Sequence, residues 1–232
     1  MTPWRETAYA KINLALHVRA RRPDGYHDIQ TLFAFVDAGD ELTAVAADAD
    51  SLTIVGEFAE GLSADADNLV LRALDFLRTQ PGGHAIPPLA VTLEKNLPVA
   101  AGLGGGSADA AALIRLVQRQ FGIGELDALV AASQILGADV GACIVSETRR
   151  GSGTGWELAL LDDSDVRRLP LLLVNPRIPL ATGPVFAGWD GRDRGALPEG
   201  SALMAARAGR NDLESPALAL VPEIDEVLAV LR

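Results

Sequence analysis

The run Leu97-Pro98-Val99-Ala100-Ala101-Gly102-Leu103-Gly104-Gly105-Gly106-Ser107-Ala108-Asp109 constrains this chain more than any other segment. Four glycines fall within five positions, after an apolar alternation (Leu89, Val91, Leu93) and before an alanine-rich stretch running from Ala108 to Gln120. That order predicts strand, glycine loop, helix. It gathers backbone N–H groups and the positive end of a helix dipole at one point, where an anion can sit. Glycines also clear side chains from the approach of a polyphosphate. No Gly-Lys-Ser/Thr closes the loop, so it is not a Walker loop. Ser107 takes the third glycine position, so it is not a dinucleotide fingerprint either. A tight turn remains the plain alternative. Ser107 can cap the helix, or it can reach a phosphate oxygen or a metal ion.

The chain has 232 residues, 49% of them hydrophobic, which suits one large domain or two small ones. No run approaches the ~18–20 apolar residues of a membrane span, and the N-terminus carries no secretory pattern. A single cysteine, Cys143, allows no intrachain disulfide and fits a cytoplasmic protein. Set among Ala142, Ile144 and Val145, it reads as inert packing. A net charge of −11 argues against nucleic acid and anionic membranes as partners. An anionic substrate must then rely on local cations. The chain holds 18 arginines but only two lysines, Lys11 and Lys95. A lysine kept against that bias suits a compact point charge, although chance survival is the simpler account. His17 and His84 carry no signal, and no His/Cys spacing suggests a zinc site.

Alternation predicts a strand over residues 7–19, with Lys11, Asn13, Ala15 and His17 on one face. Further strands are expected over 29–36, 41–46, 52–55, 89–94 and 171–174. Helices are expected over 67–77, 107–121 and 124–136, with a final one from Asn211 to near Arg232. Residues 137–141 read as a connector, 149–155 as a glycine-rich break and 190–199 as a polar loop.

Several segments together resemble the GHMP small-molecule kinases. The glycine loop is similar to that family's second motif. Ala10-Lys11-Ile12-Asn13-Leu14, Arg22-Pro23-Asp24-Gly25-Tyr26-His27, Asp65-Ala66-Asp67-Asn68-Leu69, Lys95-Asn96-Leu97-Pro98, Leu136-Gly137-Ala138-Asp139-Val140 and Asn211-Asp212-Leu213-Glu214 fit in the family's order. Asp24-Gly25-Tyr26-His27 resembles the members whose substrate is a cytidine-diphosphate-linked methylerythritol, in non-mevalonate isoprenoid precursor synthesis. The resemblance implies an α+β, two-domain fold with the active site between the domains. Residues 1–153 would form a ribosomal-protein-S5-like, ATP-binding domain, and 154–232 an incomplete ferredoxin-like one. ATP's phosphates would lie along Pro98, Val99, Ala100, Ala101, Gly102, Leu103, Gly104, Gly105, Gly106, Ser107 and Ala108, with Lys95 nearby and Mg²⁺ on the phosphates.

By the same resemblance Asp139 would take the proton of the acceptor hydroxyl. Lys11 would offset negative charge on the transferring phosphoryl group. Tyr26 and His27 would receive the cytidine, by stacking and by hydrogen bonding, and Asn13 would orient the substrate. A helix cap for Asp139, a snorkelling stem for Lys11 and a surface place for Lys95 are the plain alternatives. The family's third glycine motif would begin where this sequence stops, leaving a sheet edge uncovered. Gly141 replaces a usual proline, and Gly151-Ser152-Gly153-Thr154-Gly155-Trp156-Glu157 a tighter pattern. A non-catalytic nucleotide-binding remnant, and another GHMP kinase of homoserine or mevalonate type, are the competing readings.

Overall fold

Two long strands open the computed structural model, which describes residues 2–231: β1, Trp4–Arg21, and β2, His27–Ala46, paired with each other. Where the sequence suggests two strands, over 29–36 and 41–46, β2 runs unbroken. Gly39 permits this, because a Cβ there would stand 2.4 Å from the Ala8 carbonyl oxygen.

The chain divides into two units. The first takes the chain up to Lys11, Val36–Val99 and Leu103–Ser146. In it β3, Ser51–Val55, lies parallel to β4, Leu89–Glu94. β4 pairs antiparallel with β2 from Glu41↔Glu94 to Ala46↔Leu89. Leu89, Val91 and Leu93 alternate inward, as do Leu42 and Ala44. Four helices complete the unit: α1, Leu69–Thr79; α2, Gly105–Phe121; α3, Leu126–Ala132; and α4, Val140–Val145. The Asn68 side chain caps α1 by accepting from the Val70 N–H at 2.9 Å. Val70, Ala73, Leu74 and Leu77 form the buried stripe of α1, and each large side chain contributes about 1.5–3 kcal/mol. The helix expected over 124–136 ends early, in a single 3₁₀ turn at Ser133–Ile135.

The second unit takes Ile12–Phe35, Ala100–Gly102 and the chain from Glu147 onward. The glycine-rich 149–155 segment is only partly a break. Arg149–Ser152 forms β5, antiparallel to β2 at Thr31↔Gly151 and to β6, Glu157–Ala159. Leu171–Val174, expected as a strand, has no regular secondary structure, and its side chains are exposed. A strand needs a hydrogen-bonded neighbour, and none pairs with this run among the described residues. Beyond Ala159 come α5, Thr182–Ala187; α6, Ala202–Ala208; α7, Glu214–Leu220; and α8, Glu223–Leu231. The single final helix expected from Asn211 is thus divided, at Val221 and Pro222, because proline removes a helical N–H. Its expected end at Arg232 lies outside the described residues. Leu16, Val18 and Ile29 pack with Val185, Trp189 and Leu213, and Ala15 and Leu32 with Leu197, Ala202 and Ala205. Among the described residues no helix is long and apolar enough to cross a membrane.

Candidate active site

The glycine loop leads directly into a helix, as the order of the sequence predicts. Gly104, at φ +65°, precedes α2, and no side chain caps that helix. Ser107 is therefore not a cap; it lies inside the first turn, at the third helical position. The first N–H groups of α2 are left for another acceptor. A Cβ on Gly106 would meet nothing within 4 Å, so the approach to that turn is clear. A Cβ on Gly104 would come within 3.0 Å of the Lys11 Cε. The same lysine's backbone N–H donates to the Leu103 carbonyl at 2.9 Å, which fastens β1 to the loop.

Lys11 meets Asp139. Its Nζ lies 3.2 Å from Asp139 Oδ2, with the lysine side chain 7% exposed and the aspartate 34%. Asp139 stands at the start of α4, but its side chain makes no capping bond. The carboxylate is turned to the lysine and partly open to solvent. A buried thiol of α4, Cys143, lies 3.9 Å from the Cβ position of Gly104. Burial pushes that thiol up to about 12, which keeps it protonated and inert.

Lys95 is brought to the same unit but is differently committed. Its ammonium pairs with Asp40 of β2 and, at 2.7 Å, with Asp109 of α2. All three residues are buried. Their place is beneath the loop's exit, since a Cβ on Gly105 would lie 3.4 Å from Lys95 Nζ. Pro98, Val99 and Leu103–Ala108 belong to this unit as well. Ala100, Ala101 and Gly102 belong to the other, where the Ala100 carbonyl accepts from the Leu180 N–H at 3.1 Å.

Asn13, Tyr26 and His27 also belong to the second unit. Asn13 donates through Nδ2 to the Thr31 hydroxyl at 2.7 Å, and that hydroxyl donates to the Ala15 carbonyl. Tyr26 stands 61% exposed on its turn, held by its N–H on Asp24 Oδ1 at 3.0 Å. His27 is buried, its ring 5.2 Å from that of Phe186 and 5.8 Å from that of Trp189. Burial foremost, then the Arg21 charge, lowers its pKa, and Arg21 Nε reaches its Nε2 at 3.4 Å. Trp189 Nε1 is buried without a hydrogen-bond partner among the described residues.

Sequence reasoning assigned no role to Asp40, Asp109, Phe186 or Trp189. For the two acids a signal existed. Asp40 has the parity of buried Leu42 and Ala44 in its strand, and Asp109 sits in an unbroken alanine face. An acid on an apolar face needs a buried partner. For the two aromatics no local pattern pointed to His27. Among the described residues no cluster of three or more His, Cys, Asp or Glu could hold a metal ion.

A strand, a glycine loop, an uncapped helix and a lysine–aspartate pair beside them define a class. Residues 68–147 match the family described as GHMP kinases N terminal domain. The chain is 58% identical over 230 residues to the 4-diphosphocytidyl-2-C-methyl-D-erythritol kinase of Sphingopyxis alaskensis, covering 98% of this chain and 81% of the relative. It is 60% identical over 228 residues to the enzyme of that name from Novosphingobium aromaticivorans, covering 98% and 77%. A crystal structure of 4-(cytidine 5'-diphospho)-2C-methyl-D-erythritol kinase aligns with a TM-score of 0.71 at 32% identity, over 96% of this chain and 80% of that one. The chain belongs to the 4-diphosphocytidyl-2-C-methyl-D-erythritol kinase family, a small-molecule kinase of GHMP fold.

Proposed function

We propose that this protein phosphorylates a hydroxyl of 4-diphosphocytidyl-2-C-methyl-D-erythritol with ATP as donor, in non-mevalonate isoprenoid precursor biosynthesis. The observation that carries the reading is the 3.2 Å Lys11–Asp139 pair in the same unit as the start of α2. Asp139 accepts the proton of the attacking hydroxyl as its oxygen bonds to the γ-phosphorus. Lys11 offsets the charge that develops on the transferring group. The phosphates lie along Pro98 to Ala108, held by backbone N–H groups between Val99 and Ser107, with the uncapped first turn of α2 as the strongest donor cluster. Lys95 serves this site from beneath rather than by direct contact, because its ammonium is committed to Asp40 and Asp109.

Mg²⁺ would be carried on the phosphates and would neutralise part of their charge. The Ser107 hydroxyl, free of any capping role, is the oxygen ligand to hand. Tyr26 and His27 receive the cytosine ring. The exposed Tyr26 supplies a stacking face, and the Phe186 and Trp189 rings fix His27. Asn13, steadied by Thr31, orients the acceptor. Residues 1–153 form the ATP-binding domain in this reading, and the protein works in the cytoplasm, which a single buried cysteine favours.

An ADP-release assay tests it. Turnover is expected with the cytidine-linked substrate and not with homoserine or mevalonate. Asp139→Asn should lower kcat by about 10²–10⁴-fold with little change in KM for ATP. ATP binding without turnover would instead support a non-catalytic remnant.

A further inference from the structure

One guanidinium ties together the two elements that carry the Lys11–Asp139 pair. Arg115 stands on α2 ten residues past Gly105, about 15 Å along the helix axis from its first turn. Its Nη1 donates to the Cys143 carbonyl at 2.5 Å and to the Ser146 hydroxyl at 3.0 Å. Its Nη2 donates to the Thr7 carbonyl at 2.6 Å, and its Nε to Glu6 Oε1 at 3.2 Å. The side chain is mostly buried, and its guanidinium carbon lies 5.9 Å from the centroid of the Tyr9 ring. Cys143 belongs to α4 and Ser146 follows it; Glu6, Thr7 and Tyr9 belong to β1. All of these residues, with Lys11 and Asp139, lie in the first unit.

Each contact leads to the pair in a short step. The Cys143 N–H donates to the Asp139 carbonyl at 3.0 Å, so the residue that Arg115 grips by its carbonyl holds Asp139 by its N–H. With six residues, α4 depends on tertiary contacts to keep its place. The Cys143 carbonyl lies in its last turn, where helices leave carbonyls to be satisfied from outside. The Ser146 hydroxyl donates to that same carbonyl at 2.6 Å and closes the group. On the other side, Thr7 precedes Lys11 by four residues in one unbroken strand, about 13 Å of extended chain. A lysine at 115 cannot do this, because only a planar fork faces acceptors on two elements at once. Nor does Glu6 depend on Arg115 for a partner, since it also takes Arg119 Nη1 at 2.5 Å.

We propose that Arg115 is a positioning residue for phosphoryl transfer. By fastening the end of α4 and the early part of β1 to α2, it holds Asp139 and Lys11 in place against each other and against the first turn of that helix. This rests on the reading above that Asp139 and Lys11 act on the acceptor hydroxyl and the transferring group. Such chemistry tolerates little displacement, since a shift of about 1 Å caused from a distance can cost about 100-fold in rate.

Substitutions in the full chain, assayed by ADP release with the cytidine-linked substrate, test it. Arg115→Lys keeps a charge for Glu6 but loses the joint hold on the Cys143 and Thr7 carbonyls. It should keep most of the wild-type urea midpoint and leave the KM for ATP unchanged, while kcat falls about 10–100-fold. Arg115→Met, which also loses the charge, should lower kcat as far and stability further. In an Asp139→Asn background either substitution should lower kcat little more, because the group being positioned is already gone. A merely structural role gives another pattern: a lysine at 115 restores kcat along with stability, or the loss is equal in both backgrounds. Either result overturns the inference. A crystal structure of Arg115→Lys supplies a readout apart from turnover. Lys11 Nζ and Asp139 Oδ2 should stand beyond about 4 Å, and a pair still at its wild-type distance overturns the inference even if kcat falls. If wild-type protein turns over none of the substrate, the functional reading fails, and that distance alone decides whether Arg115 holds the pair.

Discussion

Lys11 and Lys95 are the two lysines of an arginine-rich chain, and the fold treats them differently. Lys11 meets Asp139, a carboxylate 34% exposed and so open to solvent. Lys95 meets two carboxylates, and nothing in that cluster is open to solvent. The first arrangement suits chemistry on a ligand; the second suits holding a backbone in place. What separates them is the solvent access of the partner acid, not the identity of the cation. An accessible partner can exchange its contact for a substrate, whereas a buried one cannot do so without leaving a charge unpaired.

The same substitution at both lysines gives the sharpest contrast. Lys95→Met leaves Asp40 and Asp109 buried without their cation and should cost about 3–5 kcal/mol of folding stability, read from the urea midpoint. Lys11→Met should cost about 1 kcal/mol or less yet remove turnover. Equal stability losses would erase the distinction. A smaller effect is expected at Gly104→Ala. Its left-handed backbone, at φ +65°, should cost roughly 1–2 kcal/mol, and the new methyl would press on Lys11 Cε. kcat should fall more than stability suggests, while Gly106→Ala, whose methyl meets no protein atom, should keep wild-type stability and raise the KM for ATP.

The smallest effect comes from the second unit and keeps acid lability from being blamed on either lysine. His17 is fully buried, with Nδ1 on the Gly195 carbonyl at 3.1 Å and Nε2 accepting from the Arg210 N–H at 3.2 Å. Burial foremost lowers its pKa from 6.5. The unfolded chain therefore takes up a proton near 6.5 that the folded chain resists. That contribution to stability is complete above 6.5 and declines as pH falls through it. Urea midpoints at several pH values should show the decline, and His17→Gln should flatten it. A variant that keeps the full slope would place the lability elsewhere.

Much of the first unit was legible. β4 matches its expected bounds, and α1 and α2 start within two residues of theirs, because alternation and three-to-four spacing survive in local sequence. The Lys11–Asp139 pairing was legible only through family resemblance, since 128 positions separate them and no periodicity links them. The misreadings lie where tertiary partners decide. β5 became a strand because β2 and β6 flank it, and Leu171–Val174 did not, for lack of a neighbour among the described residues. His17, silent in the sequence, became a buried hub because loop and bridge residues from 195 to 212 close around it.

The sequence by itself determined the strand–loop–helix order and the bare glycines of its turn, because backbone sterics and hydrophobic period are local properties. Only the tertiary structure decided which acids the two lysines would meet. The antiparallel register of β2 on β4 sets Asp40 beside Lys95 across 55 positions of chain, and the seating of α2 brings Asp109 to the same ammonium. Charge pairing in a dry interior is settled by which elements pack together, and packing is a property of the whole fold.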